Sequence, residues 1–171
     1  MNSTEKKNFY EKATLNLLTQ LAKFGLSDDA RNNAVYYTRL FRAAFKIDEL
    51  KQFVFVDDKN TIWDLGYDSA GFCRISSSIF SIALGIRDWK LMRIDPDQWI
   101  GKASHHYIQH IPSGMFFDLT YDQFAIDGLT VPYDIGKPAT YGLYPKNDTM
   151  RFADALDIDI IGMLKQSPKR Q

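Results

Sequence analysis

The chain contains a single cysteine, Cys73, and the residues around it restrict the fold more than any other stretch. Asp68 and Ser69 precede it and are favourable N-cap residues, and Gly85 stands where a helix commonly ends. Apolar residues recur between these limits at roughly helical spacing: Ile75, Ile79, Ile82 and Ala83. The pattern predicts a helix that buries one side and carries Cys73 in its first turn.

The position of Cys73 has a chemical consequence. Backbone N–H groups in the first turn of a helix lack helical partners and carry partial positive charge, which stabilises a thiolate, the nucleophilic form of cysteine. The alternative is that Cys73 is a small buried apolar residue without chemistry. Its place at a helix start favours the reactive interpretation. One cysteine excludes an internal disulfide and suits a reducing compartment.

Length and composition predict one domain over residues 1–171. The 171 residues are 45% hydrophobic and 14% aromatic, which is enough for a sizeable core. We expect a helical N-terminal part (1–60), a catalytic core (61–145) and a C-terminal helix with a polar tail (146–171). Basic and acidic residues balance at 21 each, so nucleic acid is not an expected partner. No apolar run has the length of a signal peptide or membrane span, so we expect a cytoplasmic protein without a membrane partner. The sequence leaves its oligomeric state open.

The order of predicted elements is helices first, then the cysteine helix, then strands. The expected helices cover residues 4–24, 27–45, the cysteine segment, 150–156 and 160–164. Residues 47–53 fit either a third short helix or the start of a strand, and 53–56 are β-prone. The expected strands cover residues 89–94, 104–111, 115–124 and 129–131, and residues 132–144 are expected to form a loop. This order predicts an α+β fold with an antiparallel sheet packed on the central cysteine helix.

All three histidines lie in one predicted strand, as His105, His106 and His110, and the following strand carries Asp118. A nucleophilic cysteine needs a base with a pKa near neutrality, and that base needs an acceptor that orients it. The cysteine helix, the histidine strand and the carboxylate strand supply these three parts.

The hairpin register decides which histidine faces the carboxylate. If residues 111–114 form a type I turn, with proline second and glycine fourth, Tyr107 lies opposite Asp118. His105 then shares a face with Asp118 on a diagonal within side-chain reach, and the other two histidines point to the opposite face. A turn longer by one residue reverses this parity and favours His106. The simpler turn favours His105.

Metal and cofactor binding are weaker interpretations of the same residues. A zinc site built on His105, His106 and His110 would need further ligands, and the chain has no other histidine and no second cysteine. Its glycines form no phosphate-binding pattern. We therefore predict no metal and no cofactor.

Three short motifs together resemble the transglutaminase-like branch of the papain-like cysteine hydrolases. They are Gly71-Phe72-Cys73 opening a helix, His105-His106-Tyr107 as a His-any-aromatic strand, and Asp118-Leu119-Thr120 with Gln123 as an Asp-any-Thr-any-any-Gln strand. They cover residues 71–124, about a third of the chain, and their order and spacing make the set more specific than each motif alone.

The resemblance implies a papain-like fold in which Cys73 is the nucleophile, His105 the general base and acid, and Asp118 its orienting carboxylate. It implies a peptide, a protein or a small amide as substrate. The chain departs from papain-like peptidases because residues 63–70 contain no glutamine to complete the oxyanion hole. The Cys73 N–H is one candidate donor, and Trp63 or Tyr67 is a candidate for the second.

The leading hypothesis is a hydrolase or acyltransferase that attacks an amide or related acyl carbonyl through Cys73, His105 and Asp118. Water as acceptor gives a peptidase, amidase or deamidase, which we favour because nothing identifies a second amine site. A non-catalytic binding module on the same fold is the alternative from another class. A secreted effector or toxin with amidase or deamidase activity is a third. Reactivity of the Cys73 thiol separates an enzyme from a binding module.

Overall fold

The structure is a computed structural model that describes residues 2–57, 68–99, 104–139 and 145–166. The helices in these ranges are α1 (Ser3–Leu21), α2 (Asp28–Ala44), α3 (Asp48–Val54), α4 (Cys73–Leu84), α5 (Asp122–Ala125), α6 (Asn147–Ala155) and α7 (Ile160–Gln166). The strands are β1 (Trp89–Ile94), β2 (His105–His110), β3 (Phe116–Phe117) and β4 (Lys137–Pro138).

The strands form one antiparallel sheet in the order β3-β2-β1-β4. Helix α4 packs on one face of the sheet, where Phe80 of the helix joins Ile108 and Phe117 in the main core. A smaller cluster on the opposite face contains Met92, Ile94, Tyr107 and Val131. The expected α+β architecture, with an antiparallel sheet on the cysteine helix, is confirmed.

The first two helices form where the sequence predicts them. Asn2 caps α1 in a capping box, because its side chain accepts from the Glu5 N–H and Glu5 accepts from the Asn2 N–H. Ser27 caps α2 by accepting from the Ala30 N–H at 3.3 Å. These two helices contact each other beside the sheet, and α2 also contacts α4.

The β-prone segment at residues 53–56 does not form a strand. Phe53 and Val54 end helix α3, and Phe55 is its C-cap residue. Leu50 and Val54 lie four residues apart on the buried side of this helix, so burial of a helical face outweighs the local strand preference. Of the two alternatives for residues 47–53, the helix is the correct one.

The second hairpin strand is much shorter than the predicted 115–124. Strand β3 ends at Phe117, because the Asp118 side chain accepts from the backbone N–H of Thr120 at 2.9 Å and turns the chain there. Residues 129–131 form no strand, and the sheet is instead completed by Lys137–Pro138, inside the predicted loop. The predicted strand at 129–131 and the predicted loop at 137–138 were therefore wrong. Which segment pairs with β1 is decided by tertiary contacts and not by the local sequence.

The predicted hairpin register is confirmed. Ile108 pairs with Phe117 and Gln109 pairs with Phe116, which extends to Tyr107 opposite Asp118. The Gly114 N–H donates to the carbonyls of His110 at 2.8 Å and Ile111 at 3.3 Å, so the chain reverses over residues 111–114 as expected.

Candidate active site

Cys73 is the first residue of α4, as predicted, and Gly85 is the C-cap residue with a φ of 99°. The predicted capping by Asp68 or Ser69 is wrong, because the N-cap residue is Phe72 and the helix start has no side-chain cap within the described residues. The first-turn N–H groups are therefore not claimed by a capping side chain. A helix start of this kind is suited to hold negative charge beside Cys73.

Gly71 gives the chain its approach to Cys73. Its φ of 80° is one that other residues rarely adopt, and a Cβ there would stand 3.2 Å from the Phe55 ring. The turn before α4 is thus packed against the end of α3.

Ser69 anchors the turn that precedes Cys73. It is fully buried, and its hydroxyl donates to Oδ2 of Asp122 at 3.1 Å. The other oxygen of Asp122 accepts from Nη1 of Arg42 at 2.5 Å. Arg42 also donates to the Leu119 carbonyl at 3.0 Å and to the Tyr10 carbonyl at 3.2 Å. This buried network ties helices α1 and α2 to the segment after Asp118 and to the turn before Cys73.

His105 opens β2, and its Nε2 lies 2.7 Å from Oδ2 of Asp118. The same carboxylate oxygen accepts from the Tyr133 hydroxyl at 3.0 Å. Its other oxygen accepts from the backbone N–H of Thr120 at 2.9 Å and from the Thr120 hydroxyl at 3.1 Å. Four donors therefore fix the carboxylate that orients His105.

Aromatic rings enclose the His105 imidazole. Phe124 stands edge-on to it with centroids 4.7 Å apart, and the Trp99 ring lies at 5.9 Å. Tyr107, two residues along the same face of β2, donates its hydroxyl to the Tyr133 carbonyl at 2.6 Å. These contacts keep His105 in one orientation and reduce its contact with water.

The His105–Asp118 pair changes the pKa of both groups. Burial alone would lower the pKa of His105, but the negative charge and hydrogen bond of Asp118, together with Cys73, raise it to about 10. Burial would raise the pKa of Asp118, but His105, Thr120 and Tyr133 outweigh it and lower that pKa. His105 is therefore a cation held against a carboxylate anion at neutral pH.

The Cys73 thiol is half-buried and interacts with two imidazoles. Burial alone would raise its pKa, but hydrogen bonding to His105 and His106 and the charges of both rings lower it to about 5. These contacts fall outside standard hydrogen-bond geometry, because Nδ1 of His105 has no partner of standard geometry among the described residues. Catalytic hydrogen bonds are often long or poorly aligned until a substrate binds.

The structure separates the three histidines. His105 and His106 both act on Cys73, although they point to opposite faces of β2. His110 lies at the far end of the strand, where its Nδ1 is 2.8 Å from the Ser113 hydroxyl and its ring packs 4.7 Å from that of Trp89. His110 therefore belongs to the hairpin turn and the core.

Sequence reasoning missed the partners that lie far from the motifs. Tyr133 falls in a segment expected to be a loop. It begins a 3₁₀ turn, and its own hydroxyl donates to Asp118. Arg42 lies in the predicted helix 27–45, and nothing in that stretch indicated that its side chain would be only 1% exposed. The one sequence signal for these buried contacts was that Asp122 follows Asp118 by four residues. Gln123 of the third motif donates to the Thr120 carbonyl at 3.0 Å, so it supports the turn that holds Asp118.

Trp63 and Tyr67, the candidates for a second oxyanion donor, lie outside the described residues. Within the described ranges, no group of three or more His, Cys, Asp or Glu side chains is arranged to hold a metal ion.

No protein-family model, curated protein or solved structure matches this chain. Each helix in the described part of the chain is too short or too polar to cross a lipid bilayer.

Proposed function

We propose that this protein is a cysteine hydrolase or acyltransferase that acts on an amide or related acyl carbonyl, with a papain-like arrangement of the transglutaminase-like type. Cys73 is its nucleophile, His105 its general base and acid, and Asp118 the carboxylate that orients His105. Hydrolysis is the favoured outcome, as in a peptidase, amidase or deamidase.

One observation carries the proposal: the imidazole of His105 lies between the Asp118 carboxylate and the Cys73 thiol. A histidine with a purely structural role is not expected to contact a thiol, and burial alone would raise the pKa of a structural thiol. Perturbed groups that share one site with complementary roles are typical of catalytic centres.

The reaction follows from the charges. Between pH values of about 5 and 10 the pair is a thiolate and an imidazolium. The thiolate attacks the carbonyl carbon and forms a C–S bond, and the carbonyl oxygen becomes an oxyanion. His105 gives its proton to the leaving nitrogen as the C–N bond breaks. A water molecule then attacks the thioester, His105 takes its proton, and the released acid leaves the thiolate and imidazolium restored.

Two features of α4 support the first step. Its N-terminal backbone N–H groups favour negative charge, and the Cys73 N–H is a donor for the oxyanion. The network of Ser69, Asp122 and Arg42 fixes the turn that carries this end of the helix.

The proposal includes a peptide, protein or small amide as substrate and a reducing, cytoplasmic setting. The setting is supported by the single free cysteine, because this chemistry requires a reduced thiol. No cofactor takes part in the steps above.

Alkylation by iodoacetamide across pH tests the proposal. We expect the rate at Cys73 to rise with a midpoint near pH 5 and to stay level through neutrality, because the thiolate is the reacting form. Mass spectrometry locates the modification, and Cys73→Ser is the blank. A second assay follows acylation by p-nitrophenyl acetate, which should give an initial burst of about one equivalent of nitrophenol and a transient acetyl group on Cys73.

A midpoint near 8.5, the value of an ordinary thiol, together with no acylation, would contradict the enzyme and favour a binding module. Amide-cleaving turnover that is lost in Cys73→Ser supports hydrolysis, and transfer to an added amine supports the acyltransferase.

A further inference from the structure

His106 is a buried histidine with no structural explanation in the fold. Its side chain is 4% exposed, and neither ring nitrogen has a hydrogen-bond partner of standard geometry among the described residues. Buried polar atoms without partners are rare in folded proteins and cost free energy, so each one calls for a reason. By contrast, His105 and His110 each have a partner at one ring nitrogen.

Its position points to the thiol. His106 faces α4, and the Ser77 hydroxyl lies 3.5 Å from the His106 carbonyl oxygen. Ser77 is four residues after Cys73, so the two lie one turn apart on the same side of the helix. The backbone of β2 at His106 therefore lies against α4, on the face that carries Ile108 into the main core, and the interaction of the His106 ring with the Cys73 thiol places that ring at the sulfur.

The surroundings of His106 differ from those of His105. Directly opposite His106 on β1 is Arg93, whereas His105 has the carboxylate of Asp118. An imidazole, neutral or protonated, has at least one N–H group that can donate to an anion. No carboxylate in the described part of the chain is bonded to His106, so its N–H is not held by a competing acceptor.

We propose that His106 is a second imidazole partner of the Cys73 thiolate, donating to the sulfur and keeping it ionised while His105 handles the proton of the leaving group. This inference rests on the proposed function. In this division of roles, His106 stabilises the thiolate before it attacks the carbonyl and again when it leaves the thioester.

Other charges near the thiol are already paired. Arg93 forms an ion pair with Asp95 at 2.8 Å, and Arg74, the residue after Cys73, is paired with Asp148. From the far side of β2, Asp118 acts on the site through His105. These groups are present in every variant below, so a change in the thiol's behaviour can be assigned to the substituted ring.

Alkylation of Cys73 by iodoacetamide, measured from pH 4 to 10, tests His106→Leu and His106→Gln against wild type. Removing the second donor should lower the rate at pH 5 about fivefold in His106→Leu, which corresponds to a midpoint higher by one pH unit. His106→Gln keeps an N–H donor and should recover part of the loss. In His105→Leu the thiol should stay more acidic than an ordinary one, and only His105→Leu/His106→Leu should titrate near 8.5.

His110→Gln is the matched control, because it removes a buried histidine from the same strand but away from the sulfur. It should leave the alkylation profile unchanged. If the profiles of a folded His106→Leu protein and wild type coincide, the inference is wrong and the proposed function stands. If wild type itself titrates near 8.5 and p-nitrophenyl acetate does not acylate it, the proposed function fails with the inference.

A second measurement does not depend on substituting His106. Nitrogen-15 spectra of the histidine rings report which nitrogen of His106 carries a proton. The His106 signals of wild type should shift as Cys73 titrates near pH 5, and those of Cys73→Ser should not. If the His106 signals do not shift as Cys73 titrates, the inference is wrong.

Discussion

Asp118 and Asp122 are four residues apart, and both are buried beside a cation, yet they differ in what that cation can do. Asp118 holds His105, an imidazole that can lose its proton and that reaches Cys73. Asp122 holds Arg42, a guanidinium that stays charged and reaches only protein groups in the described contacts. The same residue type therefore has a catalytic role in the proposed function in one place and a structural role in the other.

The pKa of the two carboxyl groups moves in opposite directions. Burial raises the pKa of Asp122, although Arg42 and Ser69 act against it. At Asp118 the imidazolium, Thr120 and Tyr133 outweigh burial and lower the pKa. The contrast teaches that burial beside a cation does not by itself stabilise a carboxylate, and that the number and geometry of its donors decide the outcome.

The largest expected effect is on activity, in Asp118→Asn. The amide no longer supplies the charge that holds His105 protonated and oriented, so turnover should fall on the order of 10³- to 10⁴-fold. The unfolding free energy should fall by only about 1–3 kcal/mol, because His105 can lose its proton and so leaves no buried charge without a counter-ion. Turnover of an amide substrate and urea unfolding measure the two effects. A variant that keeps near wild-type turnover would remove Asp118 from the mechanism.

The next effect is on stability, in Asp122→Asn. This substitution leaves the Arg42 charge buried without its counter-ion, and should lower the unfolding free energy by about 3–5 kcal/mol. Urea unfolding measures it, with Ser69→Ala as a milder companion that removes one hydrogen bond. The midpoint of Cys73 alkylation should stay near its wild-type pH wherever the variant is folded. A large change in that midpoint would mean that Asp122 acts on the thiol as well.

The smallest effect belongs to Tyr133→Phe, which removes one of the four donors to Asp118. Loss of one hydrogen bond should lower the unfolding free energy by about 0.5–1.5 kcal/mol. Turnover should fall by about tenfold or less, because His105 and Thr120 still hold the carboxylate. Comparison with Tyr121→Phe, whose hydroxyl faces α1, separates a local effect from a general one. Equal losses of turnover in the two variants would argue against a role for Tyr133 at the site.

Local patterns determined a large part of this protein. The helical repeat after Cys73 fixed its place in the first turn, and the turn chemistry of residues 111–114 fixed the register that brings His105 to Asp118. Both follow from neighbours in the sequence, because helix period, strand alternation and turn type depend on short stretches of chain.

Other features depended on how distant segments pack. The tertiary structure decided that β3 ends at Phe117, that Tyr133 reaches Asp118, and that Arg42 meets Asp122. It also brought His106 to the sulfur. Strand alternation alone predicts that His106 and His105 point to opposite faces, and so does not predict that both reach Cys73. A sequence pattern predicts which face of an element a side chain occupies. Whether side chains from two faces contact the same atom depends on the path of the whole chain.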